Sequence, residues 1–305
     1  MTEEADAGAA WENPLIPNAR LRQIYLAMMR ARTLARMLPR RDKTTLGLEA
    51  CLVSPAVDLG PGDLVSDVLA GGVVDFLRGV TLGEAVRPGS AAKKRGLRAD
   101  CGAAGRIANP AMVVDRIWAA LGAAAALKAL AASAKCAAVD ADSEAQQQGV
   151  VVVYAPPHEV PGSLWRKALT FAREKALPVL FVVLPTQAKA STKTVGVSAI
   201  ALRCGVPGMR VDKDDAVAIY RVAQESIGHA RIGGGAALIE CVPFVLAGTG
   251  RRRGPAGDGI KGLEQYILRR GVARRAWMDR EAGLFAKRIA DEKNASKQDV
   301  ARVRM

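Results

Sequence analysis

The spacing of apolar and polar positions gives the two halves of this chain different characters. From Arg20 to Leu38, Leu21, Ile24, Tyr25, Met28, Leu34 and Met37 recur at helical spacing while arginines occupy the other face, which predicts an amphipathic helix. Pro14 and Pro17 interrupt any regular element before it, so residues 1–18 read as an extended N-terminal arm. Residues 46–80 mix short helical patterns with a turn at Gly60-Pro61-Gly62-Asp63, and Arg87–Asn109 is basic, glycine-containing and loop-like. Ala111–Ala138 is an alanine-rich helix, apolar nearly all round and therefore expected to be buried.

From residue 150 onward, short apolar runs alternate with helical patterns. Val150–Ala155, Val179–Leu184, Met209–Val211 and Ala237–Val242 predict strands. Helices are predicted at Ser163–Ala176, at Val195–Cys204, and from Asp212, as its cap, to Ala230. Continuous apolar strands separated by helices predict an α/β fold, a doubly wound and mainly parallel sheet flanked by helices. Basic helices at Tyr266–Val272 and Trp277–Ile289 form a helical C-terminal tail. The resulting organisation is an arm (1–18), an α/β domain (19–250), and a basic loop with C-terminal helices (251–305).

Composition narrows the function classes. At 305 residues, half of them hydrophobic, the chain can bury one large core. The run Ile117–Leu127 ends at Lys128 and is too short to span a bilayer, and Met1–Asp6 is acidic without a signal pattern. A cytoplasmic protein without membrane contact is the expectation. Five scattered cysteines without a CxxC pair argue against a disulfide framework and a zinc site, and two histidines leave little room for imidazole chemistry. The net charge of +14 includes 15 Lys/Arg against 7 Asp/Glu over residues 251–305. Such a surface favours anionic partners, an acidic protein or nucleic acid. The lack of any RNP-like, finger or KH-type motif argues against specific nucleic-acid recognition.

Several segments, in order and spacing, resemble the α subunit of the E1 component of thiamine-diphosphate-dependent 2-oxo acid dehydrogenases, the pyruvate, branched-chain and acetoin type. They are Leu21-Arg22-Gln23-Ile24-Tyr25 with Met28-Met29, Gly47-Leu48-Glu49-Ala50, Leu59–Val65, Ala168–Ala172, Leu177–Val182, Gly205–Asp212 and Leu238-Ile239-Glu240. The resemblance implies the thiamine-diphosphate-binding fold, with cofactor held through a divalent metal where an α meets a β subunit. It also implies metal ligands from a Gly-Asp-Gly segment after one strand and an Asn after the next.

Here those positions differ. After Val150–Ala155 stands Pro156-Pro157-His158, with Pro157 where the carboxylate belongs; after Val179–Leu184 stand Pro185-Thr186. The Tyr-Arg-x-His segment of the family reads Val68-Leu69-Ala70-Gly71-Gly72, Leu48 replaces a Gln beside the retained Glu49, and Ala247-Gly248-Thr249-Gly250 lacks the loop histidine. No catalytic residue and no metal ligand are therefore assigned, and no cofactor is expected; thiamine diphosphate with Mg is the cofactor should the site function. Glu49, Pro157, His158, Glu159 and Thr186 are the candidates for a vestigial pocket. His158-Glu159 is a candidate dyad at a strand tip, and Arg251-Arg252-Arg253 a candidate anion site.

Three readings stay open from residues alone: a catalytically degenerate E1 α-like protein serving assembly, regulation or binding; an active thiamine-dependent subunit oxidatively decarboxylating a 2-oxo acid; and a basic binding module. The family implies a homodimer or a heterotetramer with an E1 β-like subunit, and the charge adds an acidic protein partner.

Overall fold

The computed structural model describes residues 15–37, 45–66, 77, 82, 105, 107, 112–137, 148–156, 159–185, 196–244 and 257–303. Five parallel strands form one sheet in the order β1-β2-β3-β5-β4. They are β1 (Leu64–Ser66), β2 (Val151–Ala155), β3 (Val179–Val183), β4 (Gly208–Asp212) and β5 (Ala237–Val242). Register is set by the pairs Leu64↔Val151, Val151↔Val179, Leu180↔Ala237 and Gly208↔Leu238. The central strands β2 and β3 are buried at every residue, which is why they read as unbroken apolar runs, whereas the edge strands β1 and β4 are partly exposed.

Chain direction sorts the helices into layers. Steps β1 to β2, β2 to β3 and β3 to β4 advance across the sheet, so right-handed crossovers place α3 (Val113–Ala137), α4 (Gly162–Glu174) and α5 (Val197–Arg203) on one face. The return step from β4 to β5 places α6 (Ala216–Arg231) on the opposite face. There α6 packs with α2 (Glu49–Val53) and α7 (Gly259–Arg269), and α1 (Asn18–Met37) lies against both α2 and α7. The final helix α8 (Arg275–Val303) packs on α1. One hydrophobic core runs through these layers, taking in residues from Ile16 to Met278.

The predicted α/β class, the parallel sheet and the helical C-terminal region all appear, with four corrections. Strand β1, inside the stretch read as short helical patterns, has only three residues and so carries no readable period. The cap of α6 is Asp215, not Asp212: its side chain accepts the Ala218 N–H at 2.9 Å, while Asp212 accepts from Asp214 N–H at 3.2 Å. Both C-terminal helices are longer than their apolar spacing suggested.

The fourth correction concerns α3, which is not buried as a whole. Over Val113–Ala134 it is long and apolar enough to cross a membrane, yet only 22% of that window is buried. Val113, Ile117, Ala120, Leu121 and Ala124 form its inner stripe. That stripe sits on β1, β2 and β3, and the Lys128 ammonium donates to the carbonyls of Lys175 and Ala176 at the end of α4. The helix is thus the β1-to-β2 crossover, covered on one side by the sheet. The basic stretch Arg87–Asn109, apart from 105 and 107, and the runs Lys93-Lys94-Arg95 and Arg251-Arg252-Arg253 lie outside the described residues.

Candidate functional site

In an open parallel sheet, ligands are held beyond the carboxyl ends of the strands where successive crossovers diverge. The divergence here falls between β3, which leads to α5 on one face, and β5, which leads to α7 on the other. The described tips read Ala155-Pro156 after β2, Leu184-Pro185 after β3 and Pro243-Phe244 after β5. The Leu184 N–H donates to the Ala155 carbonyl at 2.9 Å, so the β2 and β3 tips are paired up to their prolines. Proline withdraws a backbone N–H that could otherwise face an anion. The side chains described at these three tips bear neither charge nor amide.

Of the sequence candidates, Glu49 and Glu159 are described; Pro157, His158 and Thr186 lie outside the described residues. Glu159 is exposed, its N–H donating to the Pro156 carbonyl at 3.4 Å. His229, at the end of α6, is exposed as well.

Glu49 is the centre of a built cluster. The carboxylate is buried and receives a two-pronged contact from Arg32 on α1, Nε to Oε1 at 3.0 Å and Nη2 to Oε2 at 2.9 Å. The Gly47 N–H donates to both oxygens at 3.1 Å, from a backbone with φ +82° that suits glycine alone. Arg32 Nη1 reaches on to Asp258 at 2.8 Å, and Asp258 in turn caps α7 by accepting the Ile260 N–H at 3.1 Å. Burial works against the Arg32 charge, but hydrogen bonds to Glu49 and Asp258 outweigh it and hold its pKa above the ordinary range. Burial likewise raises the Asp258 carboxyl, and the Arg32 guanidinium more than offsets this, leaving its pKa depressed. The cluster joins α1, α2 and the start of α7. Its geometry binds segments together; both Glu49 oxygens are engaged.

Two further buried carboxylates have the same character. Asp63 accepts the Val150 N–H at 2.9 Å, the Gly60 N–H at 2.7 Å and Arg231 Nη2 at 2.6 Å, tying the Gly60–Asp63 turn to the start of β2 and the end of α6. Gly149 must be glycine for this closure, since a Cβ there would lie 2.3 Å from the Gly62 carbonyl oxygen. Glu240, on β5, accepts the N–H groups of Val197 and Ser198 at 3.0 and 3.2 Å and the Ser198 hydroxyl, closing the first turn of α5 from the sheet. Sequence reasoning passed over these functions. A carboxylate inside an apolar strand was the available signal for Glu240, and Asp258 before Gly259-Ile260 has the form of a helix cap. Nothing local pointed to Arg32.

Residues 162–248, from the start of α4 to just beyond β5, match the dehydrogenase E1 component family. Over 128 residues the chain is 29% identical to the α subunit of acetoin:2,6-dichlorophenolindophenol oxidoreductase from Bacillus subtilis (strain 168), covering 34% of this chain and 37% of that protein. Over 86 residues it is 36% identical to 3-methyl-2-oxobutanoate dehydrogenase subunit alpha of Mycobacterium tuberculosis (strain ATCC 25618 / H37Rv), covering 26% of this chain and 23% of the relative. Over this part of its length the chain is similar to α-type subunits of the dehydrogenase E1 component family. Its match spans little more than a third of the first relative's length and less of the second.

The cofactor that the E1 family uses can be tested for fit at these tips. A metal-bridged diphosphate needs hard oxygen ligands at the strand tips. The described residues at the β2, β3 and β5 tips are prolines with apolar neighbours, and no group of three His, Cys, Asp or Glu able to hold a metal occurs among the described residues. The donor set described does not fit the group.

Proposed function

We propose that this chain is a catalytically degenerate E1 α-type subunit, a cytoplasmic protein that keeps the family scaffold for assembly or regulation with a β-like partner. The reading rests on one observation, the prolines that follow β2 and β3 in place of oxygen ligands: Pro156-Pro157 and Pro185. The buried carboxylates support it, since Glu49, Asp63 and Glu240 all hold backbone or guanidinium groups of the scaffold.

A thermal-shift titration with thiamine diphosphate and Mg²⁺ tests this. A ligand at 100 times its Kd stabilises the folded state by about 2.7 kcal/mol, several degrees in midpoint for a chain of this size. The expected result is no metal-dependent shift with millimolar cofactor. A saturable, Mg²⁺-dependent rise with a micromolar midpoint overturns the reading.

A further inference from the structure

Two arginines two residues apart on α1 fall on opposite sides of the helix and have opposite surroundings. Arg32 has each of its guanidinium nitrogens on a carboxylate, Glu49 or Asp258. Arg30 faces α8 instead, its guanidinium lying over the Phe285 ring at 5.6 Å from the centroid. The Arg30 Nε is buried without an acceptor, and neither Arg30 nor the adjoining Arg288 forms an ion pair or hydrogen bond among the described residues. Burial and then the Arg288 guanidinium lower the pKa of Arg30, with Glu281 opposing them. A buried charged donor left without an acceptor is costly to the fold, and a functional site is one place where such a cost persists.

These groups open on a cavity of about 370 Å³ walled by Arg30, Lys287 and Arg288 against Glu281 and Asp291. A neighbouring cavity of about 280 Å³ shares Arg288 and Asp291 but adds Glu292, so its carboxylates outnumber its cations. The excess of cations therefore selects the first cavity for an anion. Two guanidinium forks and an ammonium offer more donors than one carboxylate can accept, whereas a phosphate brings three strong acceptor oxygens and most of two charges. The volume is that of a pocket for a small molecule, larger than a bare ion requires. Within it, Glu281 and Asp291 can accept from hydroxyl groups and repel a second anion. We infer that the cavity between α1 and α8 is a binding site for a small phosphate monoester carrying hydroxyl groups, held by Arg30 and Arg288. Bound there, the ester ties α8 to α1 beside the small apolar cluster of Met29, Leu34, Phe285 and Ile289. The site is independent of the subunit reading above, which the cofactor titration decides.

Thermal-shift and calorimetric titrations of the full chain test the site, with glycerol 3-phosphate, inorganic phosphate, acetate and glycerol as probes at fixed ionic strength. Glycerol 3-phosphate is expected to raise the melting midpoint saturably and to bind roughly threefold or more tighter than inorganic phosphate. Acetate and glycerol are expected to leave the midpoint unchanged. Arg30→Met is expected to raise the ligand-free midpoint, because it removes an unmatched charge, and to weaken the ester by roughly tenfold or more. Arg288→Gln, at an exposed position, is expected to keep the wild-type circular dichroism and to weaken the ester to a similar degree, so the test stands even where Arg30→Met fails to fold. Amide exchange with the ester bound is expected to slow in α1 and α8 around these two residues. No response to the ester, equal responses in wild type and Arg288→Gln, or protection confined to other elements overturns the inference. Acetate or inorganic phosphate acting as strongly as the ester overturns the ligand class. A fall in the ligand-free midpoint of folded Arg30→Met overturns it too, since Arg30 is then matched within the fold.

Discussion

At the scale of single residues, the energetics of this chain are carried by carboxylates removed from water. Burying a charge is costly unless every lone pair finds a donor, and breaking a buried ion pair from one side costs about 3–5 kcal/mol. Arg32→Met leaves Glu49 buried with only the Gly47 N–H, and is expected to destabilise by that amount in urea unfolding. Adding Glu49→Met is expected to recover part of the loss, because an apolar pair asks for no donors. The same cluster sets an acid response. Asp258 has a folded pKa below its unfolded value, so its stabilisation is complete above the ordinary carboxylate pKa near ~3.9 and is lost as pH falls through the lower, folded value. Asp258→Asn is expected to flatten the decline in midpoint over that acid window and to leave the region above pH 5 with a constant offset from wild type. An unchanged acid slope would remove Asp258 from the account.

The elements show which parts of this fold its sequence could convey. Strands β2, β3 and β5 were legible because burial on both faces demands unbroken apolar runs, and α6 because a full amphipathic period accompanies its cap region. Strand β1 was not, since three residues hold no period and its place beside β2 depends on the Asp63 contact to Val150. Helix α3 was legible as a helix and misleading as to burial: an all-apolar pattern states what a helix can contact, and a partner outside the chain satisfies it as well as a core does. At the candidate site, the strand-tip prolines could be read directly. Arg32 could not, because its partners stand 17 and 226 residues away. Two element-level predictions follow from the same packing. Gly122→Ala is expected to raise the stability of the isolated chain by about 0.5–1 kcal/mol, since its Cβ meets open space. Glu240→Ala is expected to cost about 2–3 kcal/mol, leaving the Val197 and Ser198 N–H groups without their acceptor, and to speed amide exchange across α5 before any other helix. Uniform acceleration across the sheet would mean that Glu240 holds more than α5.

For the whole molecule, a net charge of +14 stands against the outer face of α3, where the described exposed residues Trp118, Gly122, Ala125, Ala126, Ala129 and Leu130 carry no charge. The exposed cations of α4 set like charge between two copies of the chain, and salt removes that repulsion, with a Debye length of about 10 Å at 0.1 M. An acidic partner meets the same apolar face with long-range attraction, which salt also removes. The two associations therefore carry opposite salt signs. Sedimentation velocity of the chain alone is expected to give a monomer at low ionic strength and a rising fraction of dimer toward 0.5 M NaCl, abolished by Ala126→Trp. Neutralising those cations with Arg166→Gln, Lys167→Gln and Lys175→Gln is expected to lower the salt needed for that dimer, because it takes three like charges from each copy. Self-association that weakens as salt is added would require an attractive charge pattern between copies, which the exposed cations of α4 do not provide, and would return the dimer interface to another part of the surface.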